Sequence, residues 1–318
     1  MAIEHACVRV VRKPWGSADL RPWSEIDYDG ATIGELWFQR ADISAPDPAL
    51  LLKLLFTQEP LSIQVHPDDA FARSIGLGNG KTEAWYILSA KPGARVAVGL
   101  KRQLAAAQLR TAIENGSISD LVQWHGVLKD EAILVPAGTI HAIGAGLVVA
   151  EIQQRSDTTF RLFDHGRQRQ LHVDSAVAAA TAGPAAHQSA PRRLSDARTL
   201  LVSSPYFVLE RIDLPPQSSW ELDAVCETWL LVLKGRARVG MVNAFVGEAI
   251  FLDADRTGLK AGPDGLKGLL AYLGSEPRAR LLQPHHGHDA GRPDRHRLPP
   301  PVQRAASSLP IGTMEARQ

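Results

Sequence analysis

Apolar and polar positions over the first 180 or so residues fall into short runs that end at turn residues, the pattern of strands. The runs are Leu61–Val65, Ala84–Leu88, Arg95–Val98, Ala132–Val135 and Leu147–Gln153. Several stop at Pro67, Pro92-Gly93, Pro136-Ala137-Gly138 or between Gly144 and Gly146. Such spacing predicts an all-β barrel or sandwich rather than βαβ units. Helices interrupt it. Arg102–Glu114 (RQLAAAQLRTAIE) places Leu104, Leu109 and Ile113 on one helical face and ends at Asn115-Gly116. Further helices are expected at Ala49–Leu55 and Asp174–Thr181, and another beginning near Asp68 and Asp69. Gly183–Arg193 is polar and Pro-containing and reads as a linker. New β-runs follow at Tyr206–Ile212, Thr228–Leu233, Ala237–Val242, Ala249–Leu252 and Gly268–Leu273. The expected organisation is a first β-unit over 1–182 with a helical insert near 102–115, a linker over 183–198, a smaller β-unit over 199–275, and a tail over 276–318. The tail is rich in Pro, Arg and His. It has too little apolar surface to offset its ordering entropy, so disorder is expected there.

Composition narrows this picture only slightly. The chain has 318 residues, an apolar content of 45% and a formal charge of +1. Bulk electrostatics therefore give no argument for a nucleic-acid or membrane partner. Cys7 and Cys226 are the two cysteines and have no metal or redox spacing, which fits a reducing compartment. No signal-type h-region and no membrane-length apolar stretch is visible, so a soluble cytoplasmic protein is expected.

Candidate chemistry concentrates in three segments, IQVHPDD, GKTEAWYIL and VPAGTIHAIG. Gln64 and His66 are two apart and share a face on a strand. With Glu83 and His141 they offer two imidazoles, a carboxylate and an amide oxygen. That set can bind one divalent metal of the zinc type and leave a position open. Taken singly, His66 reads as a polar residue at a strand end. The element Pro136-x-Gly138-x-x-His141 resembles one of the two metal motifs of the cupins. Gln64 stands where the other motif has its first His, and the gap to Glu83 is long. The resemblance implies a mainly β fold of two cupin-like β-barrels of jelly-roll type, with a few helices in and around the first. Asp130 occupies a turn position where the second cupin motif often has Gly.

Longer blocks sharpen the resemblance. LLLKLLFTQEPLSIQVHPDD, NGKTEAWYIL, VPAGTIHAIGAG and EIQQRSDTTFRLFD lie in order between Leu50 and Asp164, preceded by KPWG and IGELWF. Together they resemble the type I mannose-6-phosphate isomerase family, particularly its short bacterial branch. The resemblance covers roughly the first 180 residues and fades beyond them. It implies a zinc-dependent aldose–ketose isomerase acting on mannose 6-phosphate and fructose 6-phosphate. One Zn2+ per chain would be held by Gln64, His66, Glu83 and His141, with other divalent metals possible. By the same resemblance, Arg161 is the active-site arginine, Glu151 the first candidate for proton transfer, and Lys81 the second. Ser62 and Lys53 suit a sugar-phosphate oxyanion, and Arg167 stands where some members have a further lysine.

Each residue has a plainer reading. Lys53 can be a solvated helix residue, Ser62 can bond to backbone only, and Glu151 can form a structural salt bridge. Arg161 follows Phe160 in an apolar run, so its guanidinium needs an anionic partner from protein or substrate. Two other functions stand beside the isomerase, a metal-dependent cupin oxygenase and a non-catalytic sugar-binding cupin. The later β-runs contain Glu227 but no equivalent ligand set, so the second unit is expected to be metal-free. His285, His286 and His288 are expected to bind metal weakly at most.

Overall fold

Three antiparallel sheets carry the alternating runs in a computed structural model of the chain, which describes residues 2–25 and 30–285. The first strands are β1 (Ala2–His5), β2 (Cys7–Ser17), β3 (Ile33–Gln39), β4 (Leu50–Thr57), β5 (Ile63–Val65) and β6 (Glu83–Ala90). They are followed by β7 (Arg95–Leu100), β8 (Val122–Gly126), β9 (Ala132–Val135), β10 (His141–Ile143), β11 (Leu147–Gln154) and β12 (Phe160–Phe163). Among them lie α1 (Asp69–Ser74), α2 (Ala106–Glu114), α3 (Ile118–Leu121) and, after β12, α4 (Val173–Ala179). One sheet has six strands in the order β2-β3-β4-β11-β6-β9, and another has five in the order β12-β5-β10-β7-β8.

The third sheet has ten strands. It is built from β13 (Arg192–Arg193), β14 (Arg198–Ser203), β15 (Phe207–Leu214), β16 (Ser219–Ala224) and β17 (Thr228–Val239). Continuing it are β18 (Val242–Ala244), β19 (Ala249–Asp253), β20 (Asp255–Leu273) and β21 (Leu282–Pro284). β1 completes this sheet by pairing with β19, so the first strand of the chain joins the last part of it. The fold is mainly β, as the sequence pattern indicates.

Burial sorts each strand into two faces. On β4, β6 and β11, Leu52, Leu54, Ala84, Tyr86, Ala150 and Ile152 pack with Leu209, Trp229, Leu231 and Phe251 of the ten-stranded sheet. The alternate positions Leu55, Trp85, Ile87 and Val149 pack with Val96, Val98 and Ile143 of the five-stranded sheet. The other face of that sheet, including Ile63, Val65, Ala142 and Leu162, is covered by Leu109, Ile113, Ile118 and Ala176 of the helices. The six-stranded sheet is therefore buried on both sides.

That double burial explains the one element whose type differs from the sequence expectation. Residues expected as a helix at Ala49–Leu55 form β4, whose eight residues are all buried. A strand covered on both faces loses its polar alternation and reads as a continuous apolar run. Elsewhere, α2 begins at Ala106 rather than Arg102, where the Gln108 side chain accepts from the Ala105 amide. Asp68 caps α1 by accepting from the Phe71 amide. Of the tail expected to be disordered from Glu276, the described part is ordered, because Leu281 and Leu282 are buried and β21 pairs with β16. Residues beyond His285, including His286 and His288, lie outside the described residues. No described helix is long and apolar enough to cross a membrane.

Candidate metal centre

Because Ile63 and Val65 point to the helices, Gln64 must point the other way, between the sheets. The same parity turns His141 inward beside Ala142, and Arg161 inward between Phe160 and Leu162. Register aligns them: Gln64 lies opposite His141 on one side and Arg161 on the other. From the facing sheet, Glu83 shares a face with Trp85 and Ile87. Glu151 is opposite both Lys53 and Trp85. Two inward-facing sets of polar side chains are thus produced by ordinary strand alternation.

His66, Glu83 and His141 converge, each about 1% exposed. Glu83 Oε2 is 3.3 Å from His66 Nε2, and Glu83 Oε1 is 3.4 Å from His141 Nε2. The Nδ1 atoms face carbonyl oxygens, His66 toward Thr158 at 2.9 Å and His141 toward Thr139 at 2.8 Å. A carbonyl can only accept, so each Nδ1 carries the proton and each Nε2 directs a lone pair into the centre. Gln64 Nε2 is 3.3 Å from His141 Nε2, while its Oε1 accepts from Ser62 Oγ at 3.1 Å. Turning that amide over would offer Oε1 to the same point.

Local chain geometry holds the ligands in place. The Gly138 amide donates to the His66 carbonyl at 2.8 Å, linking the Pro136-Ala137-Gly138 turn to a candidate ligand. Gly138 has φ +82°, and a Cβ there would stand 3.1 Å from Thr181 Oγ1. Thr82 Oγ1 accepts from the Ala137 amide, tying the same turn to the strand of Glu83. Trp85 Nε1 donates to Glu83 Oε1 at 3.0 Å.

Electrostatics set protonation states that suit ligation. Burial would raise the Glu83 carboxyl, but the Lys81 ammonium beside it holds it well below the usual carboxylate range. Burial lowers His66 to about 3, helped by Lys81, and lowers His141 as well. Lys81 resists its own burial through Glu83 and Glu151 and is raised. The centre therefore presents a carboxylate and two neutral imidazoles, the forms a metal requires. Glu83 Oε2 is buried without a hydrogen bond of good geometry, although Lys81 Nζ lies 2.9 Å away. Lys81 Nζ is also 3.0 Å from His66 Nε2. A single imidazole lone pair cannot serve two cations, so Lys81 must release His66 when a divalent ion binds. The donor set of two imidazoles, a carboxylate and an amide oxygen fits a zinc-type ion with an open position.

The surrounding residues fall into two groups. Lys53 is buried, and its Nζ lies 3.3 Å from Glu151 Oε1 and 3.8 Å from Glu35 Oε2. Its charge is thus matched within the protein, unlike that of a solvated helix residue. Glu151 is raised by burial and by Glu83, with Lys53 opposing. Arg161 Nη1 donates to the Gln170 carbonyl at 2.7 Å, and its nearest carboxylate, Asp164, is 4.0 Å away. Its buried Nε has no hydrogen-bond partner among the described residues. Asp164 is shared with Arg167 and Arg169. Arg167 also donates to the Pro60 carbonyl at 2.8 Å.

Glu35 and Lys13 were not singled out in the sequence. Glu35 is buried, with Lys13 Nζ 3.3 Å from its Oε1. The signal was present as a lone acid in the apolar run IGELWF. Glu227, in the expected metal-free unit, accepts from the Ala49 and Leu50 amides at 2.6 and 2.8 Å and from Trp229 Nε1 at 3.2 Å.

Comparison with known proteins gives a consistent set of relatives, although no family model matches the chain. A mannose-6-phosphate isomerase of Streptococcus mutans is 36% identical over 195 residues, covering 57% of this chain and 61% of that protein. Mannose-6-phosphate isomerase ManA of Bacillus subtilis is 36% identical over 161 residues, or 47% and 51% of the two chains. The chain thus spans between half and two thirds of these two relatives. The probable mannose-6-phosphate isomerase GmuF of Bacillus subtilis is 32% identical over 226 residues, 66% of this chain and 70% of that one. A crystal structure of the mannose 6-phosphate isomerase from Bacillus subtilis shares the fold with TM-score 0.73 at 24% identity, covering 85% of this chain and 99% of that one. A mutant phosphomannose isomerase from Salmonella typhimurium shares it with TM-score 0.68 at 15% identity, covering 86% and 100%.

Proposed function

The chain belongs to the mannose-6-phosphate isomerase family, and from that premise we propose that it is a zinc-dependent isomerase of mannose 6-phosphate and fructose 6-phosphate. The observation that carries this reading is the convergence of His66, Glu83 and His141 within one buried, inward-facing polar group beside Gln64. A bound divalent ion would polarise the sugar carbonyl and stabilise the negative charge that develops on its oxygen. His66, Glu83, His141 and Gln64 would hold that ion.

The remaining steps belong to the protein. Aldose-to-ketose conversion breaks the C2–H bond of the open-chain aldose, and its electron pair forms the C1=C2 bond of a cis-enediolate. The C1 carbonyl π pair moves onto O1 as Glu151 takes that proton, and Glu151 returns the proton to C1 while the O2 hydroxyl proton passes to O1 and the C2 carbonyl forms. Its raised affinity for protons brings it toward the pH at which a carboxylate can both accept and donate. Arg161 keeps an unpaired buried donor on the inward face and stabilises the anionic oxygens as they form. With the Gln64 amide turned so that Oε1 faces the centre, Ser62 Oγ accepts from Gln64 Nε2 and its own O–H is free to donate to a phosphate oxygen. Lys53, in contact with two carboxylates, serves Glu151 rather than a phosphate in this reading. Lys81 is the second candidate for proton transfer. Cys7 and Cys226 are both unpaired, in keeping with a cytoplasmic site of action.

A coupled assay tests the proposal. Zinc-loaded protein is incubated with mannose 6-phosphate, and fructose 6-phosphate is followed with and without chelator. Chelator-sensitive product is expected, and no product with any divalent metal would overturn the reading. Near-normal turnover by Glu151→Gln would remove Glu151 from the proton step alone.

A further inference from the structure

Beyond the ligands, the six-stranded sheet carries a second buried file of charge. Lys13 on β2, Glu35 on β3, Lys53 on β4 and Glu151 on β11 come from four adjacent strands. Their signs alternate. Successive contacts are 3.3 Å from Lys13 to Glu35, 3.8 Å from Glu35 to Lys53, and 3.3 Å from Lys53 to Glu151. Glu35, Lys53 and Glu151 are buried, so their charges interact through little solvent. Trp37 Nε1 donates to Glu35 Oε2 at 2.5 Å, and the Trp37 ring lies 4.5 Å from Lys53 Nζ. The indole therefore fixes both the carboxylate and the ammonium it faces.

Lys53 has one positive charge and two carboxylate neighbours. What it gives to Glu35 it withholds from Glu151. We infer that Glu35 is a positioning residue for the isomerisation: by sharing Lys53 with Glu151, it keeps the proton-carrying carboxylate only partly compensated. The inference rests on the isomerase reading and assigns Glu35 no contact with substrate. The charged groups facing Glu151 are Lys53, Glu83, Lys81 and Glu35, and those facing Glu35 are Lys53, Lys13, Lys81 and Glu151.

The file predicts opposite effects for its two outer members. With all four charges present, the file is neutral. Glu35→Gln retains a group for the Trp37 bond and leaves a net positive charge, so Lys53 compensates Glu151 more fully. Lys13→Met leaves a net negative charge, so Glu35 draws harder on Lys53. The acid limb of the kcat/KM profile should move to lower pH in Glu35→Gln and to higher pH in Lys13→Met, each by roughly 0.5–1 unit. Glu35→Asp should return the limb toward that of the parent. Lys13 is the most exposed member of the file, with its side chain 29% accessible, so its replacement tests the idea even where Glu35 variants fold poorly.

The same titration can be read without turnover. In pH-difference infrared spectra, the carboxylic-acid band that Glu151→Gln removes should shift in the same two directions. A parent enzyme without turnover, but with these opposite band shifts, counts against the isomerase reading and leaves the charge file standing. Limbs and bands that stay in place, or that move together in both variants, overturn the role of Glu35.

Discussion

Glu83→Gln would keep a side chain beside Trp85 but remove the charge that Lys81, His66 and His141 surround. Metal content after dialysis should fall by more than the roughly 10–100-fold seen for outer-shell changes, and turnover should fall with it. Arg161→Lys replaces a planar donor set with a point charge, and kcat/KM is expected to drop by about 100-fold or more. Metal-free protein should also lose stability in acid. His66 titrates at about 3 when folded and near its ordinary 6.5 when unfolded. Between those values the unfolded chain binds the extra proton, so stability falls as pH drops from 6.5 toward 3. Urea titrations of chelated protein across that window check the sign, with the dependence reduced in His66→Asn. The candidate group of His66, Glu83 and His141 was legible in the sequence because metal chemistry admits few residue types at such spacing. Glu35 was not, since a single acid in a short apolar run has no spacing partner to mark it.

At the scale of elements, β4 shows where sequence patterning runs out. Its apolar run LLLKLLFT reports burial but not period, and only the two covering layers reveal a strand. Lys53 appears in it as an exception and proves to be part of the charge file. The turn before β9 shows the reverse case, a departure with a visible reason. Asp130 has φ +73°, the left-handed region in which Gly is easiest. Its carboxylate accepts from Tyr86 Oη at 2.8 Å on β6 and from Lys267 Nζ at 2.9 Å on β20. It thereby ties two sheets together. Asp130→Ala should lose both bonds while keeping the backbone strain, at a cost of about 1–3 kcal/mol. Asp130→Gly should cost less, and urea unfolding distinguishes the two. Glu227 ties the start of β4 to β17, and Glu227→Ala strands two backbone amides and an indole. A loss of about 2–4 kcal/mol is expected in the same measurement.

Across the whole molecule, helices, five-stranded sheet, six-stranded sheet and ten-stranded sheet succeed one another. The polar centre lies between the first two sheets. The C-terminal sheet packs on the reverse face of the strands that carry Glu83 and Glu151. β21 completes that sheet. A chain ending at residue 280 should be less stable than one ending at 285 by about 3–5 kcal/mol, since it loses buried Leu281 and Leu282. Thermal or urea unfolding of the pair measures the difference. Three Glu-x-Trp pairs mark separate places in this stack: Glu35 with Trp37, Glu83 with Trp85, and Glu227 with Trp229. In each, the indole N–H donates to the carboxylate two residues before it. Only one of these carboxylates belongs to the candidate metal centre. An ion that draws electron density from Glu83 weakens the Trp85 hydrogen bond, leaving the other two indoles as they were. Trp85 is thus a built-in optical gauge of occupancy. Titrating divalent metal into stripped protein should change the intrinsic emission, and Trp85→Phe should abolish that change while Trp229→Phe leaves it in place.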